Sequence, residues 1–160
     1  MFTKAVLPSL LSVVFFPLAC DVTGPPAGLP YATASLTCGP VSGLGTAIIL
    51  AHDPIASARP TYPFVQIVLS APVSALAGRT LPIDPSRSIS WASYHPGPVG
   101  GEDAFAGRVS VERVDSARTV HGEVALLFAS RRVVGTFTAQ WIPWTGGSII
   151  VCPAGALSAQ

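Results

Sequence analysis

The chain contains no asparagine, a single lysine and few charges of either sign. Charged residues make up 11% of its 160 positions, where a soluble domain ordinarily carries about 25%. The one lysine, Lys4, lies near the start; every later basic residue is arginine, and these balance the acids after residue 20. That balance excludes the basic, phosphate-binding surface that nucleic acids need, and it removes strong long-range steering of charged ligands. Lysine and asparagine have AT-rich codons, whereas the abundant alanine, glycine, proline and arginine have GC-rich ones. Base composition therefore accounts for the bias without a functional reason. Past Cys20 no apolar run approaches the ~20 residues of a spanning helix. No stretch keeps a helical period, and the 16 prolines recur too often for long helices. With 49% hydrophobic residues, the surface must draw its polarity from serine, threonine and glycine.

The start of the chain reads as an address. Met1 to Ala19 has one positive charge at Lys4, an apolar centre from Ala5 to Phe16, and a small residue before Cys20. That is the layout of a signal peptide over residues 1–19. Ala19-Cys20 resembles the end of a bacterial lipobox, with Pro17 and Leu18 standing where that pattern has leucine and a small residue. The resemblance implies that Cys20 carries lipid and holds the protein on the inner or outer membrane of a bacterial envelope. Cysteine parity agrees: of three cysteines, lipid on Cys20 leaves Cys38 and Cys152 as an even pair. Ordinary cleavage nearby, with Cys20 free or lost, is the alternative. Asp21 to Pro30, rich in proline and glycine, belongs to a lipid-anchored tether over 20–37, followed by one domain over 38–160. That length suffices to bury most of the apolar surface in a single core.

The domain reads as all-β, a single antiparallel sandwich of seven or eight short strands, with a small barrel as the alternative. Gly45 to Ala51 and Phe64 to Ser70 are β-rich runs bounded by turn residues, Arg79 to Ile83 and Ser88 to Tyr94 are weaker strands, and His95 to Gly101 is a loop. Arg108 to Val114, Thr119 to Phe128 and Val133 to Trp141 alternate with a period of two, which predicts a meander with one buried face. A loop over Ala129 to Arg132 would set Phe128 opposite Val133, Leu126 opposite Gly135, Val124 opposite Phe137, Gly122 opposite Ala139 and Val120 opposite Trp141. Ser148 to Cys152 reads as a final strand that brings Cys152 to Cys38. A disulfide there would close a loop of ~100 residues and contribute roughly 4–5 kcal/mol in the chain-entropy model, as an exported location permits. Two buried free thiols are the alternative.

Gly107, Val109, Val111, Asp115, Val120, Gly122, Phe128, Val133, Gly135, Phe137, Ala139 and Trp141 resemble a pattern in small uncharacterised bacterial lipoproteins: G-x-V-x-V, an Asp-containing turn, then two strands of V-x-G type ending in A-x-W. The resemblance implies an all-β extracytoplasmic domain and brings no catalytic residues.

Little of the sequence points to reaction chemistry. His121 and Glu123 share one strand face and are a weak metal pair that lacks further ligands; the plainer expectation is a solvated face with Glu123 opposite Thr138 and His121 opposite Gln140. No serine sits in G-x-S-x-G, Glu102-Asp103 reads as a wet loop, and Gly43 to Thr46 lacks the lysine of a phosphate loop. A hydrolase or metal-dependent enzyme would need His121, Glu123, His52 and His95 in one cleft. No cofactor is expected. Aromatics with a polar edge suit contacts with sugars or proteins, which makes Trp144, Trp91 and Tyr94 the candidate binding residues, while Trp141 falls in the core by phase. The expected function is a non-enzymatic lipoprotein that binds or supports an envelope protein or glycan. The second is a carrier of small apolar ligands, which needs about 300 Å³ or more inside the β domain.

Overall fold

The computed structural model describes residues 24–39, 43–55, 60–84, 86 and 89–142. The leader, Cys20, Trp144 and the expected strand ending at Cys152 lie outside these. Cys38 is disulfide-bonded.

The described chain is all-β: β1 (Tyr31–Cys38), β2 (Leu44–Ala51), β3 (Phe64–Leu69), β4 (Arg79–Pro82), β5 (Ser90–His95), β6 (Glu102–Asp103), β7 (Ala106–Val114), β8 (Val120–Leu127) and β9 (Arg132–Trp141). A single 3-10 turn, Val73–Ala75, is the only helical element among the described residues. The strands form one sheet in the order β4-β7-β8-β9-β1-β2-β3-β5-β6, curled into a half-barrel. The curl is consistent with the all-β expectation, sandwich or barrel-like. The sheet is also mixed rather than wholly antiparallel, because β1 runs parallel to β9 through Thr33–Gln140 and Ala34–Trp141.

Alternation dictates the curl. On the inner face Ala34, Ile48, Ile67 and Ala92 align across β1, β2, β3 and β5, and Val109, Val124 and Gly135 align across β7, β8 and β9. These rows face one another and form one buried cluster that also takes in Leu29, Leu50, Val65, Leu69, Val111, Val120, Leu126 and Phe137, with Trp141 packed against it. β4 and β5 approach each other at Ser90, whose hydroxyl donates to the Pro82 carbonyl and whose carbonyl accepts from the Asp84 N–H at 2.8 Å.

The meander has the expected facing but a different register. Leu126 stands opposite Val133, Val124 opposite Gly135, Gly122 opposite Phe137 and Val120 opposite Ala139, with Leu127 opposite Arg132. Every expected pair is displaced by two residues, and the loop is Phe128 to Arg131. Even slips preserve which face is buried, so alternation alone cannot choose between them. Bulk decides: a Cβ on Gly122 would stand 2.2 Å from the Ser110 carbonyl oxygen and 2.9 Å from the Phe137 ring, so the glycine gives the ring its place. On the outer face Glu123 therefore pairs with Thr136 and His121 with Thr138, not with Thr138 and Gln140. A bulge at Glu112 (the register shifts between Val111 and Arg113) keeps Arg113 outside, opposite His121.

The tether expected over 20–37 ends much earlier. Gly24 accepts a hydrogen bond from the Thr136 N–H at 2.7 Å, Leu29 is buried in the core, and β1 fills the centre of the sheet. The backbone at Pro25-Pro26 passes so close to Gly135 that a Cβ there would lie 2.4 Å from the Pro26 nitrogen. Tyr31 to Cys38 escapes a reading by hydropathy because most of its residues are small or hydroxylated and only Ala34 is fully buried. Glu102-Asp103, expected as a loop, forms β6 against Ser93 and Tyr94.

Gly122→Val is expected to lower stability by about 2–3 kcal/mol, seen as a lower urea midpoint at constant slope. Adding Phe137→Leu to that variant is expected to recover only part of the loss, since the Ser110 carbonyl remains in the way.

Candidate binding surface

Two groups of side chains stand out on the outer face and at the strand ends. The first is built by cross-strand register. Tyr31, Ala51, Phe64 and His95 align across β1, β2, β3 and β5 on the side away from the core. The Phe64 and His95 rings stack with centroids 4.6 Å apart, Tyr62 leans on Phe64 at 5.3 Å, and the Ser93 hydroxyl and His95 Nε2 are 2.8 Å apart. Tyr31 and Tyr62 are each 43% exposed, too much for core residues of their size and enough to offer a ring face. Beside them, just past β2, Asp53 holds His52 Nδ1 at 3.0 Å and accepts from the Thr61 hydroxyl at 2.9 Å. The His52 bond, then the Thr61 bond, holds the Asp53 carboxyl below its ordinary value. More than half of each side chain of this ion pair is exposed, so it positions groups more than it stabilises the fold.

The second group lies at the other end of the outer face. His121 Nε2 is 3.7 Å from the Asp115 carboxylate, and its Nδ1 faces the Thr138 hydroxyl at 3.3 Å and Arg113 at 3.5 Å. Asp115 is lowered from its ordinary value chiefly by the Thr119 backbone N–H, which donates at 2.8 Å and closes the turn between β7 and β8. The Arg118 guanidinium lies 5.7 Å from the Trp141 ring centre.

Among the described residues no three His, Cys, Asp or Glu side chains are grouped to hold a metal. The sheet puts His121 and Glu123 on β8 and His52 and His95 at the ends of β2 and β5, so the four are not brought together by strand pairing. Of the aromatic candidates, Tyr94 is engaged internally: it is half-buried against the core, 6.0 Å from Phe128, with the Arg131 guanidinium 4.6 Å above it. Trp91 is half-buried on the outer face opposite Val68. Tyr62, Phe64 and Tyr31 were not singled out by sequence; their one signal is that all three stand at strand ends where aromatics gain a polar rim.

No family model, curated protein or solved structure matches the chain.

Glu102 joins the β8–β9 loop to β6. It accepts from the Ser130 N–H at 2.8 Å and from the Ser130 hydroxyl, and that hydroxyl is the main reason its carboxyl falls below the ordinary 4.5. A carboxyl lowered by folding stabilises fully above its unfolded value and loses that contribution as pH falls through the folded one. The urea midpoint is therefore expected to drop between about pH 5 and pH 3, and to drop less in Glu102→Gln. An identical fall in both proteins would mean that the loop contact does not bear on stability.

Proposed function

We propose that the chain is an exported, lipid-anchored module of a bacterial envelope that works by binding through its outer surface and performs no reaction. The leader and Cys20 support export and anchoring. The observation that carries the binding reading is the division of the sheet's two faces. The inner face is filled by apolar side chains, with Ile48, Leu50, Val65, Ile67, Val109 and Leu126 each at 0% exposure. The recognition groups sit outside. This favours surface binding over the apolar-ligand carrier, which needs room where these side chains stand.

Of the two outer groups, the Tyr31–Tyr62–Phe64–His95 strip bordered by Asp53, His52 and Thr61 suits a glycan. Ring faces pack against the apolar side of a sugar, and the carboxylate, imidazole and hydroxyl at the border meet its hydroxyls. Cys38 and Cys152 complete the reading as the disulfide that staples the domain outside the cytosol.

Calorimetric titration of the mature domain with soluble N-acetylglucosamine oligomers tests the binding reading. Saturable binding is expected, weakened roughly tenfold by Tyr62→Ala, as the loss of one stacking contact would give. Stoichiometric uptake of an apolar fluorescent probe, with no response to the oligomers, would support the carrier instead. Intact mass measurement on protein from its native membrane is expected to show a chain beginning at Cys20 with added acyl mass and two hydrogens missing from Cys38 and Cys152.

A further inference from the structure

Beyond the aromatic strip, the outer face carries a groove of about 480 Å³ lined by Gly107, Arg108, Ala125, Leu127 and Arg132. Its floor is apolar, with Leu127 38% exposed, and an arginine stands at each side. Register explains the arrangement: Arg108 pairs with Ala125 across β7–β8 and Leu127 pairs with Arg132 across β8–β9. Among the described residues neither guanidinium has an ion pair or a hydrogen bond. The closest carboxylate along the same strand face is Glu123, one outward position beyond Ala125 and opposite Thr136.

Chain length says what this groove meets. Cys20 is four Cα–Cα steps from Gly24, at most about 15 Å in any conformation, and Gly24 is bonded to Thr136 on β9. Arg132 lies four residues from Thr136 on the same strand, about 14 Å away. A lipid on Cys20 therefore holds the folded sheet against the bilayer and not out on a spacer, with this end of β9 within reach of the headgroups.

We propose that the Arg108–Arg132 groove docks the domain on anionic phospholipid headgroups, with Leu127 and Ala125 meeting the apolar part of the interface. The two guanidiniums take the lipid phosphates, for which their planar donor pairs are suited. The inference rests on lipidation of Cys20, since the short leash is what brings groove and membrane together.

The test is co-sedimentation of the mature chain from residue 20, carrying Cys20→Ser, with vesicles of phosphatidylglycerol or of phosphatidylcholine. Binding to phosphatidylglycerol is expected to be roughly 30-fold tighter, as two arginines near an anionic surface would give. It should fall to the phosphatidylcholine level when Arg108→Gln/Arg132→Gln is added to this chain, and in the same chain with both arginines intact at about 0.5 M salt. Arg79→Gln, on β4 opposite the inward-facing Val111, is expected to leave it unchanged. Equal binding by the double variant, with an unaltered circular dichroism spectrum, would overturn the proposal. Tighter binding of polyglutamate than of phosphatidylglycerol would overturn it too and assign the groove to an acidic protein. Acyl mass on native Cys20 without any phosphatidylglycerol preference would remove the groove and leave the anchor standing.

Discussion

The seam between β1 and β9 is the constraint on which the rest of this structure depends. Two Cα pairs and the bond from the Ile142 N–H to the Ala34 carbonyl at 2.8 Å join a half of four strands to a half of five. Parallel pairing here has a consequence for shape. It brings the start of β1 alongside the later part of β9, so the chain entering β1 must run along the earlier part of that strand. Gly135 is the residue that makes room for it. Leu29 is carried into the core by the same path, and a segment rich in proline becomes a wall of the domain.

The inner side of the sheet is filled, and on its outer side Ala47, Ala51 and Val68 are buried as well, which leaves the exposed outer side chains and the edges, among the described residues, for contact with other molecules. Among the described residues both edges are blunted. β4 is four residues long and ends in Pro82, and β6 is two residues long, which leaves little open ladder for a foreign strand. The proposed recognition therefore falls to exposed side chains of the outer face. The aromatic strip and the arginine-flanked groove are separated along the sheet, the first on β1, β2, β3 and β5 and the second on β7, β8 and β9.

Much of the β7–β9 meander could be read from sequence, because a period of two survives within each strand, broken only at the Glu112 bulge and the two turns. The register could not, because displacement by two residues leaves that period unchanged; the contact of Phe137 with Gly122 settles it, and that contact is invisible until the strands pair. β1 was hidden for a different reason. Tyr31 to Cys38 is built of small and hydroxylated residues, and it is a strand because its neighbours on both sides supply ladders, a non-local cause. The candidate surface shows the same limit. His52 and His95 were visible as isolated polar groups, but Tyr62, Phe64 and Tyr31 meet them only through the alignment of four strands. Tyr94 drew attention for its ring and is used inside, under Arg131.

Hydrogen exchange on the mature protein tests the central claim, that the chain before β1 is part of the fold. The amides of Leu29, Thr136 and Ile142 donate to Pro26, Gly24 and Ala34, and the account predicts that all three are protected from exchange, with Ile142 opening only along with the β8–β9 pair. Exchange of Leu29 and Thr136 at the rate of an unstructured peptide would contradict it, and would return residues 24–30 to the role of a spacer.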